Sequence, residues 1–120
     1  METSQLPVYN KARRLYEQFE QSTQKAPINR KRGVIHDIEE QIIGLMCDIS
    51  FANEQEKDRR SRLEYIARAA QSIHSIKVKV RILYDLRIVT KKGFAAIILE
   101  EENVARQLAG WEKKTYEGAE

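Results

Sequence analysis

Two arginine–histidine pairs are the residues of this chain whose types and spacing come nearest to catalytic chemistry. Arg30 precedes His36 by six positions, and Arg68 precedes His74 by the same interval. Some small all-α ribonucleases carry an arginine and a histidine this close together, usually with a polar residue after the arginine. Lys31 fits that polar position and Ala69 does not, and eleven arginines produce such spacings by chance. We therefore retain a small ribonuclease only as the weakest alternative.

Other catalytic and metal-binding patterns are missing from the sequence. It contains no glycine-rich phosphate loop, no HExxH motif and no nucleophile elbow. Cys47 is the single cysteine, which excludes an internal disulfide and a cysteine-based zinc site, and its apolar neighbours predict a small core residue. Glu100, Glu101 and Glu102 point in different directions on a helix, so we expect a solvated face rather than a metal cluster. We predict no catalytic residue, no metal site and no cofactor.

Charge is segregated along the chain, although the formal net charge is only +3. Residues 1–33 carry seven basic and three acidic groups, and residues 34–56 carry six acidic groups and no Lys or Arg. Residues 57–92 carry eleven basic and three acidic groups, and residues 93–120 carry three basic and six acidic groups. Such segregation favours phosphate contact by the basic segments; the alternative is a solvated surface paired with the acidic helices.

We predict that the basic residues of the third helix and of the start of the second form one binding surface for nucleic acid or a protein partner. Few aromatic residues accompany them, so contact with duplex shape or backbone is more plausible than base stacking. The predicted binding residues are Arg59, Arg60, Arg62, Arg68, Lys77, Lys79, Arg81, Arg87, Lys91, Lys92, Arg30, Lys31 and Arg32.

Apolar spacing predicts the elements that position these residues. Apolar side chains recur every three or four positions, which predicts four helices at about residues 6–24, 28–54, 58–88 and 90–113, with a frayed tail over 114–120. Residues 77–81 alternate like a strand, but the helical spacing continues on both sides; Lys77 then takes a position where the repeat expects an apolar residue. Thr90 is a candidate N-cap.

Composition and loop length complete the predicted architecture. The chain has 42% apolar and 32% charged residues, 5 Gly and 2 Pro. This composition is not typical of a disordered chain, a β-barrel or a membrane-spanning protein. Short loops make neighbouring helices antiparallel. We predict one domain over residues 1–120, an all-α, antiparallel up-down-up-down four-helix bundle. The first seven residues lack the features of a signal peptide, so we expect a cytoplasmic protein.

Several local stretches together resemble a known family. The second helix begins with Arg32-Gly33-Val34-Ile35 and ends with Ile49-Ser50-Phe51-Ala52-Asn53. The further stretches are Arg59-Arg60-Ser61-Arg62-Leu63-Glu64, Arg81-Ile82-Leu83-Tyr84-Asp85-Leu86-Arg87-Ile88 and Leu108-Ala109-Gly110-Trp111. Over about residues 8–114 the chain resembles the accessory variability determinant (Avd) proteins of diversity-generating retroelements. Avd proteins belong to a wider four-helix-bundle family that includes proteins encoded within intervening sequences of ribosomal RNA.

The resemblance implies a function that the residues alone do not give. Avd proteins are non-enzymatic, form ring-shaped homopentamers, and bind a reverse transcriptase and nucleic acid during mutagenic copying of a template RNA. It therefore implies a reverse transcriptase, RNA and possibly DNA as partners, and no membrane. In such a ring Lys77 would mark an inter-subunit or axial position, or its stem would pack in the core while its amine reaches solvent. A related bundle protein with another RNA or protein partner is the alternative.

Overall fold

The apolar stripes of the sequence form four long helices in a computed structural model, which describes residues 1–118. A 3₁₀ turn at Thr3–Gln5 precedes the first helix. The helices are α1 (Pro7–Thr23), α2 (His36–Glu54), α3 (Arg59–Asp85) and α4 (Lys91–Glu117). The prediction of an all-α four-helix bundle is confirmed.

Each helix packs on two neighbours around one apolar core: α1 and α3 both contact α2 and α4. The contacts join the start of one helix to the end of the next. Thr3 Oγ1, before α1, lies 3.2 Å from Ser50 Oγ near the end of α2. The guanidinium of Arg62, at the start of α3, lies over the ring of Trp111, near the end of α4, at 5.6 Å from its centroid. These contacts support the predicted up-down-up-down order.

The core register of α3 corrects the prediction for Lys77. The α3 residues that face the core follow an uninterrupted seven-residue repeat, because two buried positions per repeat keep one stripe against the neighbours. They are Arg62, Ile66, Ala69, Ile73, Ile76, Val80 and Leu83. Ile76 occupies the position that we expected Lys77 to interrupt, and Lys77 lies half-buried beside the stripe. The strand-like alternation over residues 77–81 is helical, as predicted.

Two predicted helix boundaries are wrong. The second helix does not run unbroken from residue 28, because a short turn at Ile28–Arg30 and a π-helical turn at Lys31–Ile35 precede it. Gly33, inside the π-helical turn, has a non-helical backbone (φ −100°, ψ −110°), which kinks the chain before α2. The third helix ends at Asp85 rather than 88, because Arg87 takes a left-handed conformation with φ 61°.

The last helix is longer than predicted. The prediction that the chain frays from residue 114 is wrong as far as Glu117, because the helix continues to that residue. Thr115 is 1% exposed, so this last turn is packed on the bundle. Gly118 ends α4 in a left-handed conformation (φ 71°), and its N–H donates to the carbonyls of Lys114 and Thr115. The remaining part of the predicted tail, residues 119–120, lies outside the described residues.

The outer face of α2 carries a residue that we expected in the core. Leu45 and Ile49 are buried, whereas Cys47 is exposed, because a residue two positions from each points to the opposite side of the helix. The prediction of a core cysteine is wrong. Across residues 1–118, no helix has both the length and the apolar character needed to cross a membrane.

Candidate nucleic-acid interface

The basic residues of α3 do not form the single surface predicted from the sequence. Successive residues turn by about 100° around a helix, so cations a few positions apart face different neighbours. Arg68 and Lys79 lie on the α2 side. The Arg68 guanidinium is 5.5 Å from the Tyr65 ring centroid and lowers the pKa of Asp48 against the rise caused by burial. Lys79 Nζ donates to Gln41 Oε1 at 3.1 Å.

The other α3 cations face α4 or solvent, and two of them are paired with carboxylates on their own helix. Arg60 Nε lies 3.7 Å from Glu64 Oε1, and Arg81 Nε lies 3.0 Å from Asp85 Oδ1. Arg59 lies against the end of α4, where a Cβ at Gly118 would be 2.7 Å from its Nη2. The prediction of one basic surface along residues 57–92 is therefore wrong.

Arg62 is a structural residue rather than a binding residue. Its side chain is buried, Nε donates to the Ala52 carbonyl at 2.9 Å, and Nη2 donates to the Asn53 carbonyl at 3.2 Å. These carbonyls belong to the last turn of α2, where the regular helical N–H donors run out; the Ala52 carbonyl also accepts from the Gln55 N–H at 3.1 Å. The guanidinium also lies over the Trp111 ring, 5.6 Å from its centroid. Arg62 thus joins α2, α3 and α4 and offers no charge to an external ligand.

The fold instead gathers cations at one end of the bundle. The loop between α1 and α2 and the loop between α3 and α4 emerge at this same end, because Ser22 near the end of α1 packs on the start of α4. A Cβ at Gly93 would lie 3.3 Å from the Ser22 side chain. Residues 24–36 and 86–92 contain seven Lys or Arg and no Asp or Glu. We call this set the basic end: Lys25, Arg30, Lys31, Arg32, Arg87, Lys91 and Lys92.

The cations of the basic end are available to a ligand. All are exposed except Lys31, which is half-buried, and within residues 1–118 none lies within ion-pair distance of a carboxylate. Lys91 and Lys92 occupy the first turn of α4, where the helix dipole already places partial positive charge. Thr90 caps this turn as predicted, its Oγ1 accepting from the Gly93 N–H at 3.0 Å. The bundle is only 22 Å wide, so a single polyanion segment reaches both loops.

Of the two arginine–histidine pairs, Arg68 and His74 do not lie in one site. Arg68 lines the groove between α2 and α3, whereas His74 lines the groove between α3 and α4. His36 Nε2 lies 3.1 Å from Glu40 Oε1 one turn along α2. In the described part of the chain, no three His, Cys, Asp or Glu side chains are grouped as metal ligands.

A buried carboxyl lies in the middle of the bundle, where a solvated face was expected. Glu101 is 2% exposed, and among the described residues its Oε2 has no hydrogen-bond partner. Burial raises the pKa of Glu101 to about 7; the ammonium of Lys77 lowers the pKa by a smaller amount, and Glu102 raises it. The prediction of a solvated glutamate run is wrong at Glu101.

Sequence reasoning missed Lys25 and Glu101, and both left a signal. Lys25 lies in a stretch of thirteen residues, 24–36, that contains no acidic residue. Because loops at the same end of a bundle lie close together, their positive charges combine on one surface. Glu101 is four positions after Ile97 and three before Val104, so it lies on the apolar stripe itself. The position in the repeat, rather than the run of three glutamates, predicts its burial.

No protein-family model matches the chain, and no curated protein or solved structure matches it either. The functional argument therefore starts from the charges and contacts of the bundle.

Proposed function

We propose that the chain is a non-enzymatic accessory protein that binds nucleic acid through the basic end. Seven cations without acidic partners at one end of the bundle carry this proposal. Each lysine or arginine that meets a phosphate releases condensed counterions, so binding weakens as salt rises. Phosphate contact needs no aromatic platform, and the basic end contains no aromatic residue.

The binding partners that we propose for the protein come from its resemblance to Avd proteins. The protein holds template RNA, and possibly DNA, beside a reverse transcriptase and so supports mutagenic retrohoming. A homopentameric ring would raise the charge per particle from +3 to about +15 and would repeat the basic end around an axis, giving multivalent contact with one polyanion. Light scattering tests the ring, since a particle with the mass of the 14.0 kDa chain would exclude it.

Charge reversal at the basic end tests nucleic-acid binding. Binding of a labelled RNA hairpin is measured by fluorescence anisotropy across a salt series for wild type and for the triple variant Arg30→Glu, Arg32→Glu, Lys92→Glu. Because three phosphate contacts are removed, we expect the slope of log affinity against log salt to fall by roughly 2–3. Circular dichroism checks that the helices are retained.

A matched triple variant controls for net charge. Arg60→Glu, Arg106→Glu and Lys113→Glu change the charge by the same amount at exposed positions outside the basic end. We expect this variant to lose only a small part of the affinity and to keep the wild-type salt slope. If the two triple variants weaken binding equally, or if the basic-end variant keeps the wild-type slope, the assignment of the basic end is wrong.

The alternative partners lead to different observations. A related bundle protein acting with another RNA would bind the hairpin through the basic end but would not bind a reverse transcriptase. The separation of Arg68 from His74 in different grooves disfavours a ribonuclease site at that pair. RNA degradation that disappears in His36→Ala or His74→Ala would restore that alternative.

A further inference from the structure

A second surface, bordered by negative charge where the basic end carries positive charge, lies between α1 and α2. The groove has a volume of about 570 Å³. Two tyrosines of α1, Tyr9 and Tyr16, form one wall, and Ile43, Met46 and Cys47 of α2 form the other. Ile43 is 46% exposed, as are several other large apolar residues of the bundle surface, and here it adjoins the half-buried side chains of Tyr16 and Met46 in one groove.

Carboxylates border this apolar groove at one end. Glu20 of α1 and Glu39 of α2 line the same recess, and the pKa of Glu39 is raised by burial first and by Glu20 second. Glu20 follows Tyr16 by one turn of α1, and Glu39 precedes Ile43 by one turn of α2, so both carboxylates lie at the margin of the groove. Burial and these two glutamates raise the pKa of the Tyr16 phenol. Two carboxylates held against each other repel, and a cation placed between them would relieve that repulsion.

The α2 wall cannot supply such a cation, because residues 34–56 contain six Asp or Glu and no Lys or Arg. His36 lowers the pKa of Glu39 from the same helix, and Lys31 lies beside Glu20 and Glu39 at the end of the bundle. Among the described residues, no lysine or arginine is paired with either Glu20 or Glu39. A nucleic acid would be repelled here, whereas a cationic protein segment would be attracted.

We propose that the groove between α1 and α2 binds a basic amphipathic helix of a partner protein. Apolar side chains of that helix enter between Tyr16, Ile43 and Met46, and its Lys or Arg side chains meet Glu20 and Glu39. The thioether of Met46 adapts to apolar side chains of different shape. The apolar part of the groove contains no residue of the basic end, although its acidic margin adjoins Lys31, and the proposal does not depend on nucleic-acid binding.

The length of the groove sets the length of the segment. Tyr9 and Glu20 are eleven positions apart on α1, which corresponds to about 16 Å along the helix axis, or about three turns. A helix of that length presents apolar residues at three- and four-residue spacing to the groove and basic residues at its margin. The expected ligand is therefore short, helical and cationic.

A designed peptide tests the groove without knowledge of the natural partner. The probe is a fluorescein-labelled peptide of about fourteen residues with leucines at helical spacing and lysines elsewhere. The matched control peptide carries glutamate in place of each lysine. We expect saturable binding of the lysine peptide, measured by anisotropy at neutral pH, and no binding of the glutamate peptide.

Two pairs of variants separate the groove from general charge attraction. Glu20→Gln with Glu39→Gln is compared with Glu112→Gln and Glu117→Gln, which remove the same charge from exposed positions of α4. Ile43→Asp is compared with Leu99→Asp, which changes an exposed aliphatic residue of α4.

We expect the groove variants to weaken peptide binding about tenfold and the α4 variants to change it by less than about twofold. Ile43→Asp is the sharper test, because it adds a negative charge to the protein. If the peptide were held by general charge attraction alone, this variant would bind the peptide more tightly than wild type. Equal losses in the two glutamine variants, or unchanged or tighter binding by Ile43→Asp, would overturn the proposal.

The alternative occupant of the groove is a second copy of this chain. Light scattering of wild type and Ile43→Asp decides this case. If wild type is an oligomer and Ile43→Asp separates it into single chains, the groove is a contact between copies and the partner-helix proposal is wrong. If the two proteins have the same mass while the lysine peptide distinguishes them, the groove is available to a partner.

Discussion

Replacing Glu101 with glutamine should remove the pH dependence that this buried carboxyl gives to the stability of the bundle. Glu101 lies in the core stripe of α4 between Ile97 and Val104, and its Oε2 has no hydrogen-bond partner in the described residues. The folded protein therefore favours the protonated carboxyl, whereas the unfolded chain loses that proton near the ordinary pKa. Glutamine has nearly the same shape and is neutral at every pH tested.

The size of the effect follows from the pKa of Glu101, which burial raises from 4.5 to about 7. Well below pH 4.5 both states are protonated and the group costs nothing. As pH rises from there to about 7, the unfolded state ionises first, so the free energy of unfolding falls; above about 7 the loss is complete. At 1.36 kcal/mol for each pKa unit, the total loss is roughly 3 kcal/mol. This is a large part of the 5–15 kcal/mol typical of a domain.

Urea unfolding followed by circular dichroism, from about pH 5 to about pH 8 at constant ionic strength, measures this loss. We expect wild type and Glu101→Gln to have similar stability at the acid end, and the variant to be more stable by about 2–3 kcal/mol at the alkaline end. Comparing the two proteins cancels the contributions of Glu39 and Asp48, whose pKa values are also raised. Glu112→Gln, at an exposed position of the same helix, should keep the wild-type dependence.

The explanation fails if the stability curves of wild type and Glu101→Gln run parallel over this range. Lys77 gives a second check, because its ammonium lowers the pKa of Glu101. Lys77→Met should raise that pKa further and destabilise the protein more at the alkaline end than at the acid end. Equal destabilisation at both ends would show that Lys77 acts through its packing alone.

Two further substitutions separate structural from functional cations. Arg62→Ala should lower the free energy of unfolding by about 3 kcal/mol in urea unfolding, because it removes the guanidinium hydrogen bonds to the carbonyls of Ala52 and Asn53 and the contact with Trp111. Arg62→Lys should recover only part of this loss. Arg87→Gly should raise stability by about 1 kcal/mol, since glycine adopts a φ of 61° without a steric penalty, while weakening RNA-hairpin binding in the anisotropy assay. A loss smaller than 1 kcal/mol for Arg62→Ala, or unchanged hairpin affinity for Arg87→Gly, would contradict these assignments.

The four helices were predictable because burial of an apolar stripe fixes its spacing, and that spacing is visible in the sequence. The register within α3 was harder to predict. Lys77 and Ile76 are adjacent, and the correct stripe passes through Arg62, a residue type that is seldom buried unless its charge is satisfied. The carbonyls at the end of α2 and the Trp111 ring explain why an arginine fits there, and the fold makes them its neighbours.

The candidate sites depended still more on tertiary structure. Net charge by segment correctly separated basic from acidic parts of the sequence, but it could not tell which cations share a surface. The direction of each α3 cation follows from its rotation around the helix axis, and pairing with Glu64 or Asp85 removes free charge from Arg60 and Arg81. The basic end arises because two loops far apart in sequence emerge at the same end of the bundle.

The basic end is also where local conformational rules are broken, which favours a functional over a structural role for its charges. Lys91 and Lys92 lie in the first turn of α4, where a cation opposes the helix dipole by roughly 0.3–1 kcal/mol each. Arg87 takes a left-handed conformation that glycine would adopt at lower cost. At the other end, Asp58 caps α3 through the Ser61 N–H, and this hydrogen bond lowers its pKa, as expected of a stabilising cap. Charges that weaken the fold where they stand, and that lack carboxylate partners among the described residues, are best explained by an anion that the protein binds there.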